Sequence, residues 1–136
     1  MAEIHKVDSY HIRVSDRPEE AHRVLLGLKE AGVNLLACCG FPIGDDKVQI
    51  DLVPEHYETF RKATARLGLS LSEHKRAFLI QGGDRVGAMA DTFGKLASRG
   101  INIVASQAVS AGGGRCGMIL WVEAADYERA SEAFGF

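Results

Sequence analysis

Hydrophobic and polar positions alternate from the first residues onward. Tyr10, Ile12 and Val14 are separated by polar side chains, the period-two pattern of a strand with one buried face. Asp16-Arg17-Pro18 follows, with Ser15 or Asp16 placed to cap a helix and Pro18 suited to its first turn. Ala21, Val24, Leu25 and Leu28 then recur at i, i+3, i+4 and i+7, one apolar stripe, and Gly32 stands where that helix would end. Val33 to Cys39 reads as a second strand and Gly40 to Asp46 as a turn. Lys47 to Val53 is a third strand, with Val48, Ile50 and Leu52 facing inward. A helix from about Glu55 to Leu67 and a short strand from Leu69 to Ser72 complete the set.

The pattern then starts again. Tyr10 to Arg17 resembles Phe78 to Arg85 at an offset of 68, and Gly32-Val33-Asn34-Leu35 falls on Gly100-Ile101-Asn102-Ile103 at the same offset. Val48, Ile50 and Leu52 fall on Met118, Leu120 and Val122 at an offset of 70, which places two extra residues in the Gly112-Gly113-Gly114 loop. The second copy reads as strand Phe78 to Gly82, helix Val86 to Arg99, strands Ile101 to Ala108 and Gly117 to Glu123, and helix Asp126 to Phe134. The expectation is an α+β fold of two ferredoxin-like (βαββαβ) units in tandem, residues 1–74 and 75–136. The second has no residues for its final strand. Its open edge would be covered by the first unit, by Ile4 to Val7, or by a second chain.

Composition narrows the classes. Of 136 residues 46% are hydrophobic and 25% charged, with only 3 prolines, so disordered, collagen-like and disulfide-stapled chains are excluded. No apolar run approaches the ~20 residues of a membrane-spanning helix. Met1 to Asp8 carries Glu3, His5, Lys6 and Asp8 and holds no signal-peptide core, so a cytoplasmic location and no membrane partner are expected. Sixteen basic side chains face eighteen acidic ones, a net charge of -2. Arg61, Lys62 and Arg66 read as the solvated face of a helix, and no nucleic-acid partner is expected.

Candidate chemistry is sparse. Cys38, Cys39 and Cys116 are odd in number and lack CxxC spacing, and they read as small buried hydrophobes. The five histidines form neither HxH nor HExxH, and His11, beside Arg13 on its strand face, reads as exposed. No GxSxG elbow occurs. Gly82 to Gly87 lacks the Gly-Lys-Ser/Thr ending of a phosphate loop. No catalytic residue, metal or cofactor is expected. Ile119 and Trp121 give their strand a second apolar face, which predicts burial against the other unit or another chain.

Asp84-Arg85-Val86-Gly87-Ala88, followed after the helix by Gly100-Ile101-Asn102-Ile103, resembles the ACT domain. Asp16-Arg17-Pro18 with Gly32-Val33-Asn34-Leu35 matches it a second time, so the resemblance covers nearly the whole chain. The layout is similar to the stand-alone tandem ACT proteins of bacteria, which carry no attached enzyme. The resemblance implies a ferredoxin-like fold and regulation by a small molecule, most often an amino acid. It implies a site where two units pair, between the first strand-to-helix loop of one and the second strand of the other. The loop positions carried over are Ser15, Asp16, Arg17 and Pro18, then Gly83, Asp84, Arg85, Val86, Gly87 and Ala88; the strand positions are Asn34 and Asn102. The first loop departs from the pattern, with Glu19 where the second has Gly87.

The residue types have their own rationale. A helix N-terminus offers unpaired N–H groups and a positive dipole end to a carboxylate. Gly87 admits a ligand close to the backbone, and Asn102 has donors and acceptors for a head group. The alternative is that Asp84 only caps its helix and Asn102 only satisfies a turn. The expected function is that of a non-catalytic, dimeric regulator binding an amino acid. The second reading is a protein-interaction module, such as a regulatory subunit of an amino-acid biosynthetic enzyme.

Overall fold

In the computed structural model, which describes residues 2–136, the alternating segments are strands and the apolar stripes are helices. Two compact units result. One is Asp8–Lys75, and the other joins the N-terminal residues up to Val7 to Arg76–Phe136. The six strands and four helices make an α+β fold.

The Asp8–Lys75 unit takes the second part of β1 (Glu3–Ser15), then α1 (Pro18–Glu30), β2 (Leu35–Gly44), β3 (Lys47–Pro54) and α2 (Tyr57–Arg66). Its strands lie in the order β2-β3-β1, antiparallel throughout. Ile12, Val14, Ile50 and Leu52 bury their sheet face against Val24 and Leu28 of α1 and Phe60 and Ala63 of α2. Each such side chain removed from water contributes about 1.5–3 kcal/mol. Leu25 of the sequence stripe lies off this face and stays exposed. Neither Ser15 nor Asp16 caps α1. Arg17 holds the cap position without a side-chain bond, and the Asp16 amide donates to the Asp46 carbonyl at 2.7 Å.

The expected strand at Leu69 to Ser72 does not form. Leu69 and Leu71 do pack on the core. At Ser72, however, the hydroxyl accepts the His11 N–H at 2.9 Å, where a strand would offer a carbonyl, and a single backbone bond runs back from the Ser72 N–H to His11 O. A side chain replacing the ladder acceptor ends the ladder there.

The second unit contains β4 (Lys75–Gly83) from Arg76 onward, α3 (Ala88–Ala97), β5 (Ile103–Gly112), β6 (Arg115–Val122), a 3-10 turn at Ala124–Asp126, and α4 (Tyr127–Ala133). The strand order is β4-β6-β5. Phe78, Ile80, Met118, Leu120 and Val122 pack against Leu96 of α3 and Tyr127 and Ala130 of α4. Of the three covers that the sequence leaves open for this sheet edge, the N-terminal residues take part: Ile4 packs on this core, and Ala2 lies against Gly82 of β4. α3 starts two residues later than the pattern suggests, because Gly87 has a left-handed φ of 82° that helical residues do not adopt.

The two hairpins are equivalent. β5 and β6 are joined by Gly113-Gly114 with φ of 61° and 74°, and β2 and β3 by Asp45-Asp46 with φ of 54° and 55°. Both are two-residue loops with the twin positive φ of a type I′ turn. The register fixes the repeat: Ile12 pairs with Ile50 and Leu52 with Tyr10, as Ile80 pairs with Met118 and Leu120 with Phe78. Ile50 therefore corresponds to Met118 and Leu52 to Leu120, so the offset of 68 persists through the hairpin. The extra residues enter after Val122, as the 3-10 turn before Tyr127, and not in the glycine loop. Side-chain alternation has a period of two, so it cannot distinguish offsets of 68 and 70.

Ile119 is 4% exposed, and Leu79 opposite it is also buried. Trp121 is half-buried.

Candidate functional site

The second unit contains a cleft of ≈ 650 Å³ between the end of its sheet and α3. Pairing sets its floor. Ile80 opposes Met118, which opposes Ala108, and one pleat further on Gly82 opposes Cys116, which opposes Ser110. Alternate residues share a face, so both rows point the same way. α3 forms the wall with Ala88, Met89, Asp91, Thr92 and Lys95.

The rim is set by the loop between β4 and α3. The Asp84 amide donates to the Gly114 carbonyl at 2.9 Å, and the Asp84 carboxylate accepts from the Ser110 hydroxyl at 2.6 Å. The loop is thus tied to the hairpin by both its backbone and its side chain. The Arg85 guanidinium pairs with Asp91 and also donates to the Val86 carbonyl. Both partners are exposed, so this pair contributes little to stability. No side chain caps α3; the Ala88 N–H donates to the Arg85 carbonyl at 3.2 Å and the Asp91 N–H to the Gly87 carbonyl at 3.1 Å. The Cys116 thiol donates weakly to the Gly83 carbonyl at 3.6 Å. Cleft and rim together offer an uncapped helix start, one carboxylate held by a hydroxyl, and an apolar floor.

No family model matches the chain, and no curated protein matches it. Solved structures do. Protein BT0572 from Bacteroides thetaiotaomicron superposes with a TM-score of 0.82 at 14% identity, over 96% of this chain and 88% of that one. The regulatory subunit of aspartate kinase from Thermus thermophilus superposes with a TM-score of 0.62 at 20% identity, covering 97% and 93%. Its counterpart from Thermus flavus gives 0.59 at 19% identity, covering 98% and 96%. The chain shares the fold of these regulatory subunits. At such identities the likeness concerns the fold.

Of the residues singled out in the sequence, Asp84, Arg85, Gly87 and Ala88 line the cleft. Val86 does not, and its side chain stands fully in solvent. Asn102 precedes the start of β5, while Ser110 of the cleft is near that strand's end; eight residues at ~3.3 Å each separate them. Asn34 is engaged at the matching place in the other unit, where its side-chain amide donates to Glu55 at 3.2 Å and its carbonyl accepts the Glu55 N–H.

Ser15, Asp16 and Arg17 occupy the corresponding loop of the Asp8–Lys75 unit, but the space beneath differs. At the offset of 68, Val14 stands for Gly82, Val48 for Cys116, Val24 for Thr92 and Glu19 for Gly87. Val14 and Val24 are buried core residues. Val48 fills what the smaller Cys116 leaves open, Val14 stands where Ala2 lies over Gly82, and Val24 and Thr92 have nearly the same shape. The floor residues Ile80, Met118, Ala108, Cys116 and Ser110 were not singled out in the sequence, because apolar strand positions look alike whether they face a core or a cleft. The legible signal was Gly82 where its repeat carries valine.

Proposed function

We propose that this chain is a non-catalytic regulatory protein built from two ACT-like units, and that it binds an amino acid at the loop Asp84 to Ala88. The observation that carries this reading is the cleft under the uncapped start of α3, with Gly87 and Cys116 where the other unit has Glu19 and Val48. A ligand carboxylate is stabilised at the N–H groups and dipole end of α3. The Asp84 carboxylate, already oriented by Ser110, faces a ligand ammonium. The fold shared with aspartate kinase regulatory subunits agrees with this assignment. The loop Ser15, Asp16 and Arg17 with Asn34 plays the weaker part, since its cleft is filled. Binding shifts the population toward the arrangement that holds the ligand better, which is how a regulatory module acts.

Pairing of two copies fits the sheet edges. β2 and β5 each run ten residues, Leu35–Gly44 and Ile103–Gly112, with no charged side chain, and each is the outer strand of its unit. Edges are ordinarily guarded by charge against just such pairing. The same edges favour the second reading, a regulatory subunit that adds a strand to a metabolic enzyme. Calorimetry of the purified chain against the twenty amino acids tests the first. No heat at millimolar ligand with folded protein would refute it, and a stoichiometric enzyme recovered from native lysate without any ligand response would favour the second.

A further inference from the structure

We infer that residues 2–4 form a strap over the floor of the cleft, and that docking of this strap sets how accessible the site is. Gly82 is the position that shows it. It carries no side chain, yet it is buried. Its cover comes from Ala2, just before β1: a Cβ placed on Gly82 would stand 3.2 Å from the Ala2 Cα and 3.3 Å from the Ala2 Cβ. Ala2 also lines the cleft, together with Gly82 and its strand partner Cys116.

The other unit closes the same place from within. Val14 stands there at the offset of 68 and buries its own side chain in the core. That cover is bonded to its strand and stays in place. The cover of Gly82 is a separate stretch of chain, and it is lightly held. Ala2 and Glu3 are exposed, and Ile4 is the residue of the three that packs on the core, where it is half-buried. A strand end anchored by one side chain opens locally at much lower cost than the core strands it lies on. When it opens, Gly82 has no side chain to take its place, so the floor beside Cys116 is uncovered.

The strap thereby ties the site to the N-terminal segment. This step rests on the amino-acid reading above. A ligand in the cleft has Ala2 as part of its wall, and gains that contact only while the strap is docked. Occupancy then favours docking, and docking favours occupancy by the same factor.

The strap itself is tested on the full chain without any ligand. Ile4→Asp removes the anchor, and losing one half-buried aliphatic side chain shifts the opening equilibrium about tenfold. Amide exchange along the strap and alkylation of Cys116 by iodoacetamide, read by mass spectrometry on its own peptide, are both expected to quicken, with an unchanged circular dichroism spectrum. Quicker exchange with unchanged alkylation of Cys116 would overturn the place of the strap over the floor, and unchanged exchange would overturn its anchoring by Ile4. Gly82→Val decides the matter should Ile4→Asp not fold. It supplies the side chain that the other unit carries at this place, and Ala2 leaves no room for it. Strap exchange is expected to quicken in that variant too, and unchanged exchange would overturn the contact. An amino acid that gives heat in calorimetry is expected to slow strap exchange in the unaltered chain. Heat without slowing would overturn the coupling. No heat from any amino acid would overturn the amino-acid reading, with the strap still decided by the two variants.

Discussion

Phe78 stacks on Tyr127 with ring centroids 5.0 Å apart and planes 15° from parallel. The other unit repeats the pair as Tyr10 on Tyr57, at 5.3 Å. The copies are not energetically equal. Tyr127 is 4% exposed and has Arg76 over its other surroundings at 3.9 Å from the ring centre, whereas Tyr57 is 44% exposed. Truncating a buried aromatic removes its transfer energy and leaves a cavity. Tyr127→Ala is therefore expected to cost about 3–5 kcal/mol, and Tyr57→Ala about 1 kcal/mol, the central value for point substitutions. Denaturant unfolding of both variants checks the contrast, and equal losses would contradict it.

The repeat was legible because a buried stripe and its caps leave strong marks. Gly32 with Gly100, and Asp16-Arg17 with Asp84-Arg85, recur at one offset. What misled was local. The slip of two residues between Val48 and Met118 preserves every inward and outward assignment, so only the pairing of Ile80 with Met118 could expose it. The strand expected at Leu69 failed on one hydroxyl, that of Ser72, which no periodicity encodes. His11, expected to be exposed, is half-buried for a similar reason: its strand neighbours, not its own polarity, decide its surroundings.

The two hairpin turns differ in chemistry at the same conformation. Asp45 and Asp46 both hold positive φ, a region that costs a residue with a Cβ roughly 1 kcal/mol or more and a glycine almost nothing. The matching turn is Gly113-Gly114. Asp46→Gly creates the Asp-Gly pair that type I′ turns favour. It keeps the carbonyl that accepts the Asp16 N–H. A gain of about 0.5–1 kcal/mol is expected in thermal or denaturant unfolding. A loss would show that the side chain of Asp46 matters more than its backbone.

His11 makes stability depend on pH. Burial, then the neighbouring Lys75, then Arg13, hold its imidazole below the usual value of 6.5, with Asp51 opposing them. Its Nδ1 is buried without a hydrogen-bond partner. The unfolded chain therefore binds a proton more readily than the folded one. The stabilisation is present above about pH 6.5 and is lost as pH falls through the lower folded value. Melting temperatures should fall on acidification below that point, and His11→Gln should flatten the fall. An identical profile in the variant would assign the effect to other groups.

The site itself was half legible. Its loop was marked by Asp84 and Gly87, while its floor became visible only once the register set Gly82 and Cys116 against Val14 and Val48. That substitution pattern supplies a direct test. Cys116→Val gives the second unit the side chain that the Asp8–Lys75 unit has at the same place, and valine suits a strand. It gives up only the weak thiol bond to the Gly83 carbonyl. The added bulk lies in the cleft lining between Gly82 and Ser110. Overpacking of that kind in an occupied site typically costs about 1–3 kcal/mol, roughly a five- to 150-fold loss of amino-acid affinity. Folding should be little affected, because Cys116 borders the cleft and is not part of the packed core. Titration of the variant alongside its melting curve separates the two. Full affinity in a normally folded Cys116→Val protein would place the ligand elsewhere than under α3.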